Sequence, residues 1–121
     1  MNSAYLLLGS NEGDRLGWLQ SAKESINNSI GNITAASSIY ETAAWGLEEQ
    51  PSFYNQVILT TTLLEPRELL HVVNQIELEN GRQRVLKWGQ RTLDIDILFF
   101  NEQVISEPDL RIPHPFMEQR R

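Results

Sequence analysis

Residues 88–100 read WGQRTLDIDILFF. From Leu93 onward the residues are those of a strand that packs on a core, aliphatic, β-branched and aromatic. Yet the same stretch carries Asp94 and Asp96. Side chains alternate faces along a strand, so Leu93, Ile95, Ile97 and Phe99 are expected on one face. Thr92, Asp94, Asp96, Leu98 and Phe100 are expected on the other. The two carboxylates then share a face, with Cα atoms about 7 Å apart. Two readings of that pair stand side by side. It is either a pair of solvated polar positions on an open sheet face, or a grip for divalent cations. Mg²⁺ takes hard oxygen ligands, commonly one or two carboxylates plus substrate phosphates, and two-metal sites hold their ions about 3.5–4 Å apart.

The residues before the pair bear on this choice. Arg82, Arg84, Lys87 and Arg91 form a basic cluster with Trp88 inside it. Arginine binds phosphate through a bidentate fork. Carboxylates that hold magnesium beside arginines that hold phosphate oxygens are the parts of a nucleoside-triphosphate site. The alternative is a solvated charged loop. The P-loop pattern G-x-x-x-x-G-K-[ST] does not occur. Beyond the strand, His114 sits between Pro113 and Pro115, which restrict its backbone, and can return to the carboxylates; Arg120 and Arg121 add positive charge.

Working outward, residues 4–8 are a short apolar run ended by Gly9, Ser10 and Asn11, a buried strand followed by a turn. Asp14 suits the cap of a helix whose apolar face is Leu16, Leu19, Ala22, Ile26 and Ile30, stopped by Gly31. Residues 33–40 and 53–63 read as strands. Pro66 opens a second helix with Leu69, Val72, Val73 and Ile76 on one face, and Gly81 ends it. Then come the basic loop 82–91, the strand 92–100, and a short hairpin from Val104-Ile105 to Leu110-Ile112. The order is β-α-β-β-α-β, the split βαβ pattern. It predicts an α+β, ferredoxin-like sandwich, with an antiparallel sheet, both helices on one face, and a C-terminal hairpin. The long irregular stretches 41–52 and 82–91 are where function is expected. Trp45, with Phe53 and Asn55 just beyond the first, is either ordinary core or a slot for a flat heterocycle.

Composition narrows the classes. The 121 residues carry a net charge of −6, with 3 Lys/Arg against 10 Asp/Glu in residues 1–81 and 7 against 6 in residues 82–121. An acidic chain is a poor general ligand for nucleic acid, because that affinity rests on neutralising many phosphates. No cysteine is present, which excludes disulfides and thiolate metal sites. No long apolar run and no basic, apolar leader occur, so a single domain over residues 1–121, acting in the cytoplasm without membrane or nucleic-acid partners, is expected.

Several blocks together resemble a known family. LLLGSNEGD, SSIYET, QPSFYNQV, IELENGRQR, WGQRTLDIDILFF and IPHPFMEQRR occur in the order in which they occur in 6-hydroxymethyl-7,8-dihydropterin pyrophosphokinases, over essentially the whole chain. The resemblance implies transfer of the β,γ-pyrophosphoryl group of ATP to the pterin hydroxymethyl oxygen, releasing AMP, in folate biosynthesis. It implies a monomer that uses two Mg²⁺ ions, with ATP and 6-hydroxymethyl-7,8-dihydropterin as its partners. It also implies roles. Asp94 and Asp96 match the metal-binding aspartates. Arg82 and Arg91, with Asp96, match catalytic positions on and beside a loop that closes over ATP. Asn74, Glu77, Arg84, Trp88, Ile97, His114, Phe116 and Arg120 match nucleotide-side positions. Thr42, Ala43, Trp45, Phe53 and Asn55 match the pterin pocket. The proton acceptor for the attacking hydroxyl stays open between a metal ion and Asp96.

The chain departs from the family's usual residues at Asn74 (often Gln), Ala43 and Gln90 (often Pro) and Phe116 (often Tyr). Family members usually continue past the position of Arg121, with a phenylalanine that stacks on the pterin. Weakened pterin binding and low or absent turnover are therefore expected of the 121-residue chain.

Overall fold

The computed structural model describes residues 1–43, 51–80 and 92–114. Its main sheet is built around β1 (Asn2–Ser10), with β4 (Phe53–Thr62) on one side and β5 (Asp94–Phe100) on the other, both antiparallel to it. Outside β4 lie β2 (Ile33–Ala36) and β3 (Tyr40–Thr42), so the path across the sheet is β2-β4-β1-β5 with β3 also on β4. With helices α1 (Arg15–Ser29) and α2 (Pro66–Glu79) between the strands, this is the predicted β-α-β-β-α-β arrangement. The hairpin is present as β6 (Ile105–Glu107) and β7 (Leu110–Ile112). The predicted single strand over 33–40 is two short ones, because the chain breaks at Ser37 and Ser38. There the Ser37 hydroxyl takes the Val57 N–H at 2.9 Å in place of a ladder partner.

The core lies between the sheet and the helix layer. Ala4, Leu6 and Leu8 of β1 are fully buried, as are Leu19, Ala22 and Ile26 of α1; Leu69, Val73 and Ile76 of α2 meet them. Each of these leucine, isoleucine and valine side chains contributes about 1.5–3 kcal/mol by leaving water. The helix ends follow from local residues. The Asp14 Oδ1 accepts the Gly17 N–H at 3.0 Å, and the Glu68 Oε1 accepts the Glu65 N–H at 2.9 Å ahead of Pro66. Leu16, expected on the apolar face of α1, is 53% exposed. It lies in the first helical turn, ahead of the buried positions Leu19, Ala22 and Ile26.

One irregularity reorders the faces of β5. Tyr5 pairs with Phe99 but Leu6 pairs with Ile97, so Leu98 is an extra residue, a β-bulge. Strict alternation would put Phe100 beside the carboxylates. Instead Phe100 is fully buried in the core, and Phe99 turns to the other face, where it meets Tyr5 edge-on at 6.1 Å. The bulge has a second effect, because the Leu98 carbonyl accepts the His114 N–H at 3.0 Å.

Candidate active site

The sheet face away from the helices carries the odd-numbered residues of β1 and β4 and the two aspartates of β5. Gly9 pairs with Asn55 on one side and Asp94 on the other, and Leu7 pairs likewise with Val57 and Asp96. Thr42 pairs with Phe53 at the end of β3. A cavity of about 150 Å³ opens over this corner, lined by Leu7, Gly9, Thr42, Ala43, Phe53, Asn55, Asp94 and Asp96. Asn55 is 8% exposed, and its Nδ2 donates to Thr42 Oγ1 at 2.9 Å. That bond ties β4 to β3 and fixes the amide that faces the cavity. The cavity has a flat floor because Gly9 has no side chain. A Cβ there would stand 3.2 Å from Asn55 Oδ1 and 3.6 Å from Phe53 Cδ1. A planar ring can lie on such a floor, with an amide at its edge and an aromatic beside it.

A second cavity of about 240 Å³ lies along β5 on the side of the hairpin, between Leu70, Ile97, Pro108, Asp109, Leu110, Arg111 and His114, and it too is lined by Asp96. Asp96 therefore borders both spaces. His114 Nε2 is 3.6 Å from Asp96 Oδ1. The Leu98 bulge brings them together, because its carbonyl anchors the backbone that carries the imidazole. The far wall of this cavity is held by Arg67 of α2, whose Nη1 donates to Asp109 Oδ2 at 2.7 Å and whose Nη2 pairs with Glu107. The guanidinium holds the Asp109 carboxyl below the ordinary carboxylate range, and Asp109 raises the Arg67 pKa.

Glu77 is 4% exposed, and its Oε2 accepts the Ile95 N–H at 2.9 Å. A buried carboxylate thus grips the strand at the residue between the two aspartates. Ile97 is 5% exposed and borders the larger cavity. Asn74 lies on the exposed side of α2 and lines neither cavity. Arg82, Arg84, Trp88, Arg91, Trp45, Phe116 and Arg120 lie outside the described residues. Sequence reading missed Leu7 and Gly9, and on the other side Leu70 and Arg111. The sequence places Gly9 in the turn after β1, but the strand runs through Ser10. A glycine inside a strand marks a close approach, and that signal was available.

The donors suit magnesium. Asp94 and Asp96 offer hard carboxylate oxygens at one cavity lip, and Asp96 is 45% exposed. Among the described residues no group of three or more His, Asp or Glu side chains could hold a metal alone. A two-carboxylate site that leaves room for phosphate oxygens is the usual protein contribution to a magnesium–nucleotide complex.

Known proteins resemble the chain in sequence and in fold. The sequence model of the 7,8-dihydro-6-hydroxymethylpterin-pyrophosphokinase family matches residues 5–121. The chain is 43% identical over 120 residues to the 2-amino-4-hydroxy-6-hydroxymethyldihydropteridine pyrophosphokinase of Aquifex aeolicus, covering 99% of this chain and 74% of that one. It is 45% identical over 120 residues to the enzyme of the same name from Bacillus subtilis, covering 98% and 72%. Among solved structures, Plasmodium falciparum HPPK-DHPS with SDX-DHP superposes with a TM-score of 0.75 at 19% identity. That match covers 99% of this chain and 38% of the longer one, and shows the shared fold. By family match and by close relatives alike, the chain belongs to the 7,8-dihydro-6-hydroxymethylpterin-pyrophosphokinases, which transfer pyrophosphate from ATP to hydroxymethyldihydropterin in folate biosynthesis.

Proposed function

We propose that the two cavities divide the substrates of this reaction, and that Asp96 stands where they react. The observation that carries this is the shared wall. Asp96 borders the 150 Å³ cavity with Asn55 and Phe53, and also the 240 Å³ cavity with Arg111 and His114. The first suits the pterin, whose flat ring fits the floor at Gly9 and whose polar edge meets the Asn55 amide. The second suits ATP. Its apolar residues Leu70, Ile97 and Leu110 can hold a base, and Arg111 and His114 can face phosphate oxygens. The hydroxymethyl group and the β-phosphorus then meet beside Asp94 and Asp96.

In the reaction the hydroxymethyl oxygen bonds to the β-phosphorus, and the bridging bond to the α-phosphate breaks. The hydroxyl proton passes to Asp96 or to solvent, and AMP departs with the bridging oxygen. Little covalent chemistry falls to the chain, and holding two substrates in line does most of the work. Asp94 and Asp96 would hold two Mg²⁺ ions, which when bound neutralise the phosphate charge that repels the attacking oxygen. Glu77, through Ile95 N–H, keeps the aspartates in register. Arg82, Arg84, Trp88 and Arg91 enter the proposal as residues that clamp the triphosphate, and Trp45 as a pterin contact. Their support is the family pattern of the sequence. The monomeric state enters the proposal in the same way, on the family pattern of the sequence. Dependence on ATP supports a cytoplasmic location, and no helix among the described residues is long and apolar enough to cross a membrane.

The test is a product assay with ATP, Mg²⁺ and 6-hydroxymethyl-7,8-dihydropterin. Release of AMP with formation of the pterin diphosphate is expected. ADP instead of AMP, or no pterin-dependent product, would overturn the assignment.

A further inference from the structure

Behind the pterin-side corner, on the face toward the helices, a group of polar side chains joins α1 to both strands. Arg15, the first residue of α1, donates from Nη1 to the Ser52 carbonyl at 2.9 Å and to Ser52 Oγ at 3.1 Å. The same nitrogen is 3.9 Å from Glu41 Oε2, and the Ser52 hydroxyl donates to that carboxylate oxygen in turn. The guanidinium lies over the Tyr54 ring, with Cζ 3.8 Å from its centroid. Glu41 and Tyr54 are register partners in the ladder, and the next pair is Thr42 with Phe53. Neighbouring residues on a strand face opposite ways. Glu41 and Tyr54 therefore point to the helix side, while Thr42 and Phe53 line the cavity on the other.

We infer that Arg15 is a positioning residue for pterin recognition, bracing from behind the strand ends that carry Thr42 and Phe53 and so setting the width of the cavity without touching its ligand. The inference rests on the proposed assignment of that cavity to the pterin. β3 has only three residues, from Tyr40 to Thr42, and among the described residues it pairs with β4 alone. So short a strand on one neighbour holds its place weakly by ladder bonds. The Arg15 group adds an attachment from outside the sheet, from a helix anchored in the core by Leu19, Ala22 and Ile26. Arginine suits the task because its planar fork reaches a carbonyl, a hydroxyl and a carboxylate while its face lies on an aromatic ring. Lysine, a point charge, cannot do all of these at once.

The test compares pterin and nucleotide affinity in the 121-residue chain. Dissociation constants for 6-hydroxymethyl-7,8-dihydropterin and for a nonhydrolysable ATP analogue with Mg²⁺ are measured by calorimetry. Arg15→Met is expected to weaken pterin binding about tenfold, the size of losing a hydrogen bond to a charged group, and to change nucleotide binding less than about twofold. Arg15→Lys should recover only part of the loss. Ser52→Ala, a milder change that still tests the brace if Arg15→Met does not fold, should weaken pterin binding about threefold. Equal losses for both ligands, or no pterin loss in either variant, would overturn the inference. Asn55→Ala is the control for the cavity itself. If it weakens pterin binding while Arg15→Met and Ser52→Ala do not, only the brace fails. If Asn55→Ala leaves pterin binding unchanged, the cavity assignment fails and the inference with it.

Discussion

Asn55 and Asp94 stand on either side of Gly9, each its direct partner in the ladder, so an amide and a carboxylate face the same space across one bare backbone position. The two come from strands that have no contact in the sheet path except through β1. A substrate edge read by Asn55 and a phosphate held near Asp94 are thereby set about two strand spacings apart, roughly 10 Å.

Gly9→Ala should act on this spacing. The added Cβ meets Asn55 Oδ1 at 3.2 Å and covers part of the floor. Pterin KM should rise several-fold in the alanine variant and by at least about tenfold in Gly9→Val, as overpacking by one or more methyl groups costs roughly 1–3 kcal/mol. ATP KM should stay near its parent value, and steady-state kinetics with each substrate varied in turn makes the comparison.

Asp96→Ala should lower kcat by at least about a hundredfold, because it removes a carboxylate placed where phosphate charge must be neutralised. The melting temperature should move little, since the side chain is 45% exposed and its loss leaves no cavity in the core. AMP release and a thermal melt, measured on the same preparation, check both halves.

Glu77→Ala should cost about 2–3 kcal/mol of stability, as it strands the buried Ile95 N–H that now meets a carboxylate at 2.9 Å. Glu77→Gln keeps an acceptor and should lose less. Urea unfolding orders the variants. A Glu77→Ala chain as stable as the parent would show that the bond contributes nothing.

Gly31→Ala should be worse than either. An added Cβ would fall 1.7 Å from the Thr61 carbonyl oxygen, a backbone atom that cannot rotate away. The end of α1 and β4 must separate to admit it, and a loss of about 3 kcal/mol or more is expected. Solubility and denaturant midpoint report it.

The Arg67–Asp109 pair supplies a pH prediction. Arg67 lowers the folded-state pKa of Asp109, so the pair's contribution is present above the unfolded carboxylate value of about 3.9 and is lost as pH falls through the lower folded value. Asp109→Asn should therefore be slightly less stable than the parent near neutrality and converge with it at the acid end, which flattens the acid limb of the stability curve in that window. Added salt should shrink the difference between the two proteins, since both side chains are exposed. Denaturant titrations from pH 2 to pH 7 at two ionic strengths test it (ordinary surface pairs behave this way).

The β-α-β-β-α-β order was legible in the chain because each element carries its own local signals. These are the Asp14 cap, Pro66 at a helix start, glycines at helix ends, and a two-residue period in the strands. That Asp94 and Asp96 share a face also followed from period alone. What period could not supply was the Leu98 bulge, which arises from how β5 fits β1 over its whole length. It sends Phe100 into the core, turns Phe99 out, and hands a carbonyl to His114. Nor could local signals show that Gly9 lies between Asn55 and Asp94, that Glu77 reaches Ile95 N–H, or that Asp96 borders two cavities. Those relations join residues at least 18 positions apart. They exist only once the strands have chosen their neighbours and register, and that choice is made by burial of the whole sheet against its helices.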